Sequence, residues 1–265
     1  MSDESTIRPM TVGNFDAFNR LHSFEETITN EGFKQRVEKG GFFGLFLLDV
    51  LLGYMNLNLF SEDEGHFQSI FIGEEHRGKG YSNILMKYAI KWYLEQGAKR
   101  VHLYTEVDNE IAQGLYRKHG YEIDSRAWHF IVPFSTLKPK IRYTCHEVME
   151  DEIDLVGKLS HRLPAGEIRR WMGSDSRRVL ALKDDQGDVK GACLFAPSFP
   201  GCRPFVISHP DCFDDFIIGI KKRSLPEFDY VRIVFSGNDN LAEICKERGY
   251  ELFDEMFYFT MELVR

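Results

Sequence analysis

The chain has 265 residues and a formal net charge of −8. At roughly 100–200 residues per domain, that length suits one large or two small domains, and the ordinary apolar and charged fractions exclude a disordered or collagen-like chain. A general nucleic-acid binder needs a basic footprint that this acidic chain lacks, whereas a cationic small substrate is compatible with it.

The N-terminal stretch Met1 to Met10 has no apolar core, so no secretory signal is expected. No apolar run approaches the ~18 residues that span a bilayer, so no membrane partner is expected either. Ile7 to Met10 is a short strand candidate. Asn14 to Phe24 reads as a helix, because Phe15, Phe18 and Leu21 fall on one face. Glu25, Glu26, Thr27, Thr29 and Glu31 then form an acidic, polar stretch. Gly44 to Asp49 and Leu52 to Phe60 read as strands joined by a tight turn, and His66 to Ile72 as another strand. Tyr81 to Gln96 has a helical apolar face of Ile84, Leu85, Tyr88, Ala89 and Trp92, with Gly97 placed to end it. Val101 to Val107 is a strand, Asn109 to His119 a helix stopped by Gly120, and Ala127 to Phe134 a closing strand. Ser135 to Lys140 reads as a linker.

The second half repeats this plan. The run Leu103 to Asn109 followed by His119-Gly120-Tyr121-Glu122 has an echo in Ile233 to Asn240 followed by Arg248-Gly249-Tyr250-Glu251. Each copy orders a strand, an Asn-containing turn, a helix, a glycine and an aromatic residue, and such self-similarity points to a duplicated unit. The predicted organisation is two α/β domains, residues 1–135 and 141–265. All five cysteines (Cys145, Cys193, Cys202, Cys212, Cys245) lie in the second half with no CxxC pair. A disulfide framework or a metal site is therefore not expected, and free thiols in a reducing, cytoplasmic setting are the simplest reading.

The segment richest in chemistry is Ile70-Phe71-Ile72-Gly73-Glu74-Glu75-His76-Arg77-Gly78-Lys79-Gly80-Tyr81-Ser82. An apolar strand runs into a glycine loop, and the loop opens a helix. Backbone N–H groups at a helix start lack intrahelical partners and carry positive partial charge, so they suit a phosphate. Gly73 to Gly80 nearly matches a nucleotide P-loop, but Gly80 stands where a magnesium-binding hydroxyl is needed. A second pattern follows at Asn109-x-x-Ala112-x-x-Leu115-Tyr116-x-Lys118-x-Gly120-Tyr121.

Together the two segments resemble the GNAT N-acetyltransferase superfamily, whose strand–loop–helix signature is matched by Arg77-x-x-Gly80-x-Ser82, with Ser82 where the family usually has Gly or Ala. The resemblance implies an α/β (α+β) fold, two tandem GNAT-like domains, each a twisted mixed sheet flanked by helices, with the sheet parting after its fourth strand. It implies acetyl-CoA in that gap as co-substrate: its pyrophosphate on Arg77, Gly78, Lys79, Gly80, Tyr81 and Ser82, and its pantetheine along Ile70, Phe71 and Ile72, with Asn109 on the same arm. It further implies Tyr116 as the acid that serves the departing thiolate. For the base that frees an amine acceptor of its proton, His66 is the candidate, since strand alternation puts it on the face of Gln68, Ile70 and Ile72. Glu64, Glu74, Glu106 and a water wire are alternatives. A non-catalytic acyl-CoA-binding module is the competing reading of the whole.

In the second half the corresponding loop, Ile207 to Phe216, has no glycine and no Arg, but three aspartates and Pro210. Cys245 falls near the place of the motif tyrosine, and a nucleophilic role for it is a remote alternative. This half is expected to bind no CoA, and to shape the acceptor pocket, stabilise the first half or pair subunits as a homodimer. Glu25, Glu26 and Glu31 lie near the loop that borders the acceptor in this family, a placement compatible with a cationic amine.

Overall fold

The computed structural model describes residues 5–22, 28–59, 61–160 and 162–263. Phe24, Glu25, Glu26, Thr27 and Phe60 lie outside the described residues. The chain divides into two compact units, one of Met1–Thr105, Asn109–Glu122 and Phe259–Arg265, the other of Glu106–Asp108 and Ile123–Tyr258.

Unit 1 runs β1 (Thr6–Pro9), α1 (Phe15–Leu21), α2 (Asn30–Lys39), β2 (Phe42–Leu47), β3 (Val50–Leu59), β4 (Glu64–Ile72), α3 (Tyr81–Glu95), β5 (Arg100–Glu106) and α4 (Glu110–Lys118). Pairing is antiparallel from β1 to β4 and parallel between β4 and β5. A parallel neighbour requires a crossover, and α3 is that crossover. One face of the sheet packs on α1 and α2 through Phe18, Phe33, Phe42 and Tyr54. Leu85, Met86, Ala89 and Tyr93 of α3 are buried.

Helix α2 occupies a stretch to which the sequence pattern assigns no element. The Thr29 hydroxyl caps it by accepting from Gly32 N–H at 3.1 Å, and Phe33 is fully buried. Glu31 therefore sits in a helical first turn, where its charge suits the dipole. With only Phe33 and Val37 apolar, the segment's periodicity is too sparse to announce a helix, and tertiary burial of Phe33 supplies what propensity lacks.

Unit 2 contains β6 (Glu122–Pro133), β7 (Thr144–Glu147), α5 (Ile153–Leu159), α6 (Ala165–Trp171), β8 (Arg178–Lys183), β9 (Val189–Ala196), β10 (Gly201–Ile207), α7 (Phe213–Lys221), β11 (Tyr230–Ser236), α8 (Asp239–Glu247) and most of β12 (Glu251–Glu262). Antiparallel pairs run from β7 to β10, and β10 to β11 is parallel, so unit 2 has the strand plan of unit 1. The chain is a tandem of two GNAT-like folds.

The units do not divide at the expected boundary, 1–135 against 141–265. Strand β6 pairs antiparallel with β11 from Tyr230↔Pro133 to Ser236↔Ala127, and its Trp128, Phe130 and Val132 fill the core around Phe205, Phe213 and Phe216. The end of the chain returns to unit 1, where Leu263 N–H donates to Lys99 O at 2.6 Å. Each unit's sheet thus includes a strand end from the other half of the sequence. Alternation along β6 marks a strand, but a two-residue period carries no information about which neighbour pairs with it. Lys140, the last residue of the predicted linker, and the two residues after it are tied to unit 2: Lys140 Nζ meets Asp211 at 2.8 Å, and Ile141 and Arg142 N–H donate to Asp215 at 2.9 and 2.8 Å.

Among the described residues, no helix is long and apolar enough to cross a membrane. One close approach sets the packing under the site. A Cβ on Gly65 would lie 2.4 Å from the ring of Tyr93, which is fully buried. Gly65→Ala is expected to lower unfolding stability by about 1–3 kcal/mol through overpacking, read as a lower urea midpoint.

Candidate functional site

The glycine loop is built from backbone conformations that only glycine adopts easily. Gly78 has φ 74° and Gly80 φ 82°, the left-handed region. A Cβ at either would meet nothing within 4 Å, so backbone geometry, not crowding, selects glycine there. Gly80 is the residue preceding α3, and no side chain caps that helix start. Two cations are fixed beside it through backbone carbonyls. Arg77 Nε donates to Ile72 O at 3.2 Å, and Lys79 Nζ to Glu75 O at 3.0 Å. Tyr81 and Ser82 open the helix. The loop therefore presents uncapped N–H groups, a helix dipole and two positive charges, a combination that suits an anion.

Beside the loop the sheet opens. β4 and β5 pair only at Glu64↔Arg100, Gly65↔Val101 and His66↔His102. Beyond that rung β4 continues through Ile70, Phe71 and Ile72, held on its other edge by Met55, Tyr54 and Gly53 of β3. This stretch of β4 makes no ladder with β5, so its β5-facing edge is available to an extended ligand. Phe71 is steadied from below by His22, stacked at 4.3 Å, and by Tyr54 at 5.6 Å.

A register shift between Asn56 and Leu57 opposite Ser69 and Phe67 places a bulge at Gln68. The bulge inverts alternation, which corrects the expectation for His66. The base candidate shares a face with Ser69 and Phe71 rather than with Ile70 and Ile72. Gln68 itself turns to β3, where Asn56 and Asn58 donate to its Oε1 at 3.2 and 2.7 Å.

On the opposite face, Phe67 packs 6.4 Å from Tyr116 of α4. Tyr116 is buried among Tyr121 and Phe259 as well, and burial pushes its hydroxyl up to about 12. Asn109 caps α4, its Oδ1 accepting from Ala112 N–H at 3.0 Å; its amide nitrogen is not part of that cap. The apex of the gap is thus flanked by His66 on one face and Tyr116 beneath the other.

The remaining carboxylates fare differently. Glu74 and Glu106 are exposed. Glu64 Oε1 lies 2.9 Å from His102 Nδ1. His102 and Tyr104 on β5, which sequence reasoning passed over, share the face of His66, with ring centroids 4.7 and 6.2 Å from it. Their two-residue spacing along a strand was the signal available for finding them. Among the described residues no cluster of three or more His, Cys, Asp or Glu is arranged to hold a metal ion.

Unit 2 repeats the gap without the loop. β10 and β11 pair only at Gly201↔Arg232 and Cys202↔Ile233, and a cavity of about 380 Å³ lies beyond, bordered by Pro204, Ile207, Phe235, Ser236 and Arg162. The start of α7 is filled by its own side chains. Asp211 and Asp215 hold residues 140–142, and Asp214 takes a two-pronged bond from Arg248 at 2.6 and 3.3 Å. Cys245 occupies the position of Tyr116: Tyr250 N–H donates to Cys245 O at 3.0 Å just as Tyr121 N–H donates to Tyr116 O at 3.1 Å. Burial pushes the Cys245 thiol up to about 12, which keeps its thiolate scarce near neutral pH.

Comparison with known proteins agrees with this geometry. Residues 10–121 match the model of the acetyltransferase (GNAT) family. Streptothricin acetyltransferase of Escherichia coli is 31% identical over 86 residues, 32% of this chain and 49% of that protein. The matched part therefore spans about half the length of that relative. A GCN5-related N-acetyltransferase from Sphaerobacter thermophilus superposes with a TM-score of 0.70 at 14% identity, covering 100% of this chain and 98% of its own. A tandem GNAT protein from the clavulanic acid biosynthesis pathway gives 0.59 at 11% identity, covering 99% of each. At these identities the two structures speak for the fold.

Two outcomes are expected. Gly80→Ala should cost about 1–2 kcal/mol of stability from left-handed strain alone, measured by denaturant unfolding. Cys245 should resist iodoacetamide at about pH 8 in the folded protein and react once unfolded, because its thiolate is scarce; peptide mass spectrometry reads both states.

Proposed function

Residues 10–121 of this chain belong to the acetyltransferase (GNAT) family, and on that premise we propose that unit 1 binds acetyl-CoA and transfers its acetyl group to an amine. The observation that carries this reading is the uncapped start of α3 behind two left-handed glycines, set beside strands that part. The pyrophosphate rests on the N–H groups of Gly78 to Ser82, with Arg77 and Lys79 adding charge. The pantetheine arm lies along the open edge of Ile70, Phe71 and Ile72 as an added strand, and Asn109 meets it with the amide nitrogen its cap leaves over.

Transfer needs an amine freed of its proton and a stabilised leaving thiolate. An alkyl ammonium with pKa ~10 is almost wholly protonated near neutrality. His66, at the apex of the gap, takes the amine proton as the nitrogen lone pair forms the new C–N bond. The sulfur departs toward the opposite face, where Tyr116 stands. Full proton transfer from a hydroxyl near 12 to a thiolate near ~8.5 would be uphill by roughly 5 kcal/mol. Tyr116 therefore acts by donating a hydrogen bond to the developing negative sulfur, in a buried setting where such a bond is strong. The acid of the sequence reading becomes a neutral donor.

Acetyl-CoA is expected to raise the melting temperature, and Arg77→Ala to weaken its binding about tenfold, by calorimetric titration. Tyr116→Phe should lower kcat about 10²-fold and leave acetyl-CoA affinity within about twofold; undiminished turnover would remove Tyr116 from the mechanism. Because burial raises the Tyr116 hydroxyl to about 12, it stays in its donor form throughout the assay range. No loss of kcat from this group is expected below about pH 10, and a limb that appears in wild type and vanishes in Tyr116→Phe would contradict it. Release of free thiol on an amine panel tests the transfer itself. Binding without release on any amine would point to a non-catalytic acyl-CoA module.

A further inference from the structure

The last paired rung of β4 and β5 holds more than His66. Opposite it stands His102, and one rung pair back stands Glu64, whose carboxylate lies 2.9 Å from His102 Nδ1. Both partners are withdrawn from water, with 8% of the His102 side chain and 12% of the Glu64 side chain exposed. The two imidazoles lie face to face, with centroids 4.7 Å apart and planes 30° apart. Tyr104 closes the cluster edge-on, 6.2 Å from each ring. Arg100, the remaining charged group of unit 1 on this face of β5, is turned to Glu262 at 3.5 Å. A buried hydrogen-bonded polar pair adds little net stability, since desolvation offsets the attraction. Stability alone is therefore a poor reason for placing this pair at the point where the strands part.

We infer that Glu64 and His102 are a positioning pair for His66, a role that rests on the transferase reading above. The Glu64 carboxylate accepts from His102 Nδ1–H, which fixes the tautomer and plane of that ring. The His102 ring in turn sets the plane of His66. When His66 receives the amine proton, the imidazolium forms one ring away from the negative charge of Glu64, which favours it. The nitrogen lone pair forms the C–N bond, the N–H bond breaks with its electron pair kept by nitrogen, and the C–S bond breaks with its pair leaving on the CoA thiolate, while the proton resides on His66 until it is given to solvent. Glu64 thereby ceases to be an alternative base, because its carboxylate is engaged with His102.

Two measurements on the full chain test the pair. In the first, kcat and KM are determined for Glu64→Gln, His102→Phe and His66→Ala, and for each of the first two combined with His66→Ala. Glu64→Gln and His102→Phe, the latter keeping an aromatic plane, should each lower kcat about 10-fold to 100-fold, with KM for acetyl-CoA within about twofold. In the His66→Ala background they should cost nothing further, because residues acting through one group are non-additive. Undiminished losses in that background would overturn the proposal. The second measurement needs no turnover. The imidazole ¹⁵N shifts of His66, which report its tautomer, should move in the near-isosteric Glu64→Gln even if His102→Phe fails to fold. An unmoved His66 signal would overturn the pair, whereas a moved signal in a protein that acetylates no amine would overturn the transferase reading and leave the pair standing.

Discussion

Parallel pairing between β4 and β5 lasts for three rungs and then stops. A backbone edge that leaves its neighbour inside a sheet must find other partners or be served by a ligand, because unpaired buried N–H and C=O groups are costly. The arrangement of unit 1 follows from that constraint. The released end of β4 is held straight by β3 and by the stack of His22 and Tyr54 under Phe71. The loop that follows delivers the start of α3 to the same opening. The last rung before the parting gathers His66 and His102 on one face, while Phe67 carries Tyr116 on the other.

The bulge at Gln68 decides which residues of the released end of β4 share the side of His66. With regular alternation, His66 would share the side of Ile70 and Ile72. The extra residue inverts the relation and aligns His66 with Ser69 and Phe71, while ordinary alternation puts the consecutive residues 66 and 67 on the sides of the histidine cluster and of the buried tyrosine. The proposed chemistry separates by face as well: proton removal on the side of the imidazoles and the Glu64 carboxylate, and thiolate stabilisation on the side of the buried Tyr116 phenol.

Unit 2 shows what happens when the fold is kept and the loop is replaced. Its strands part in the same way, and its last helix is capped by Asn238 as α4 is by Asn109, each accepting from an N–H at 3.0 Å. Where unit 1 leaves a helix start uncapped behind glycines, unit 2 supplies aspartates that fasten residues 140–142 and Arg248. Negative side chains at a helix start serve the dipole as an anion would, and they repel one that arrives from outside. The same duplication thus yields one helix start left uncapped by side chains and one that is self-satisfied.

The sequence by itself determined the local pieces. Gly78 and Gly80 announced the loop because few other residues tolerate that backbone, and Gly97 and Gly120 marked helix ends for the same reason. Apolar spacing located α3, Asn109 and Gly120 bracketed α4, and the echo of Leu103 to Glu122 in Ile233 to Glu251 disclosed the duplication. What only the tertiary structure decided was partnership. That β6 serves unit 2 and Phe259 packs on Tyr116 could not be read from alternation, which is blind to the identity of a neighbour. Helix α2 exists because Phe33 is buried, not because its segment is a strong helix former. The face of His66 turned on a bulge, and the pairing of Glu64 with His102 joins residues 38 apart in the chain. Such contacts are set by register and packing between distant strands, which no local pattern encodes.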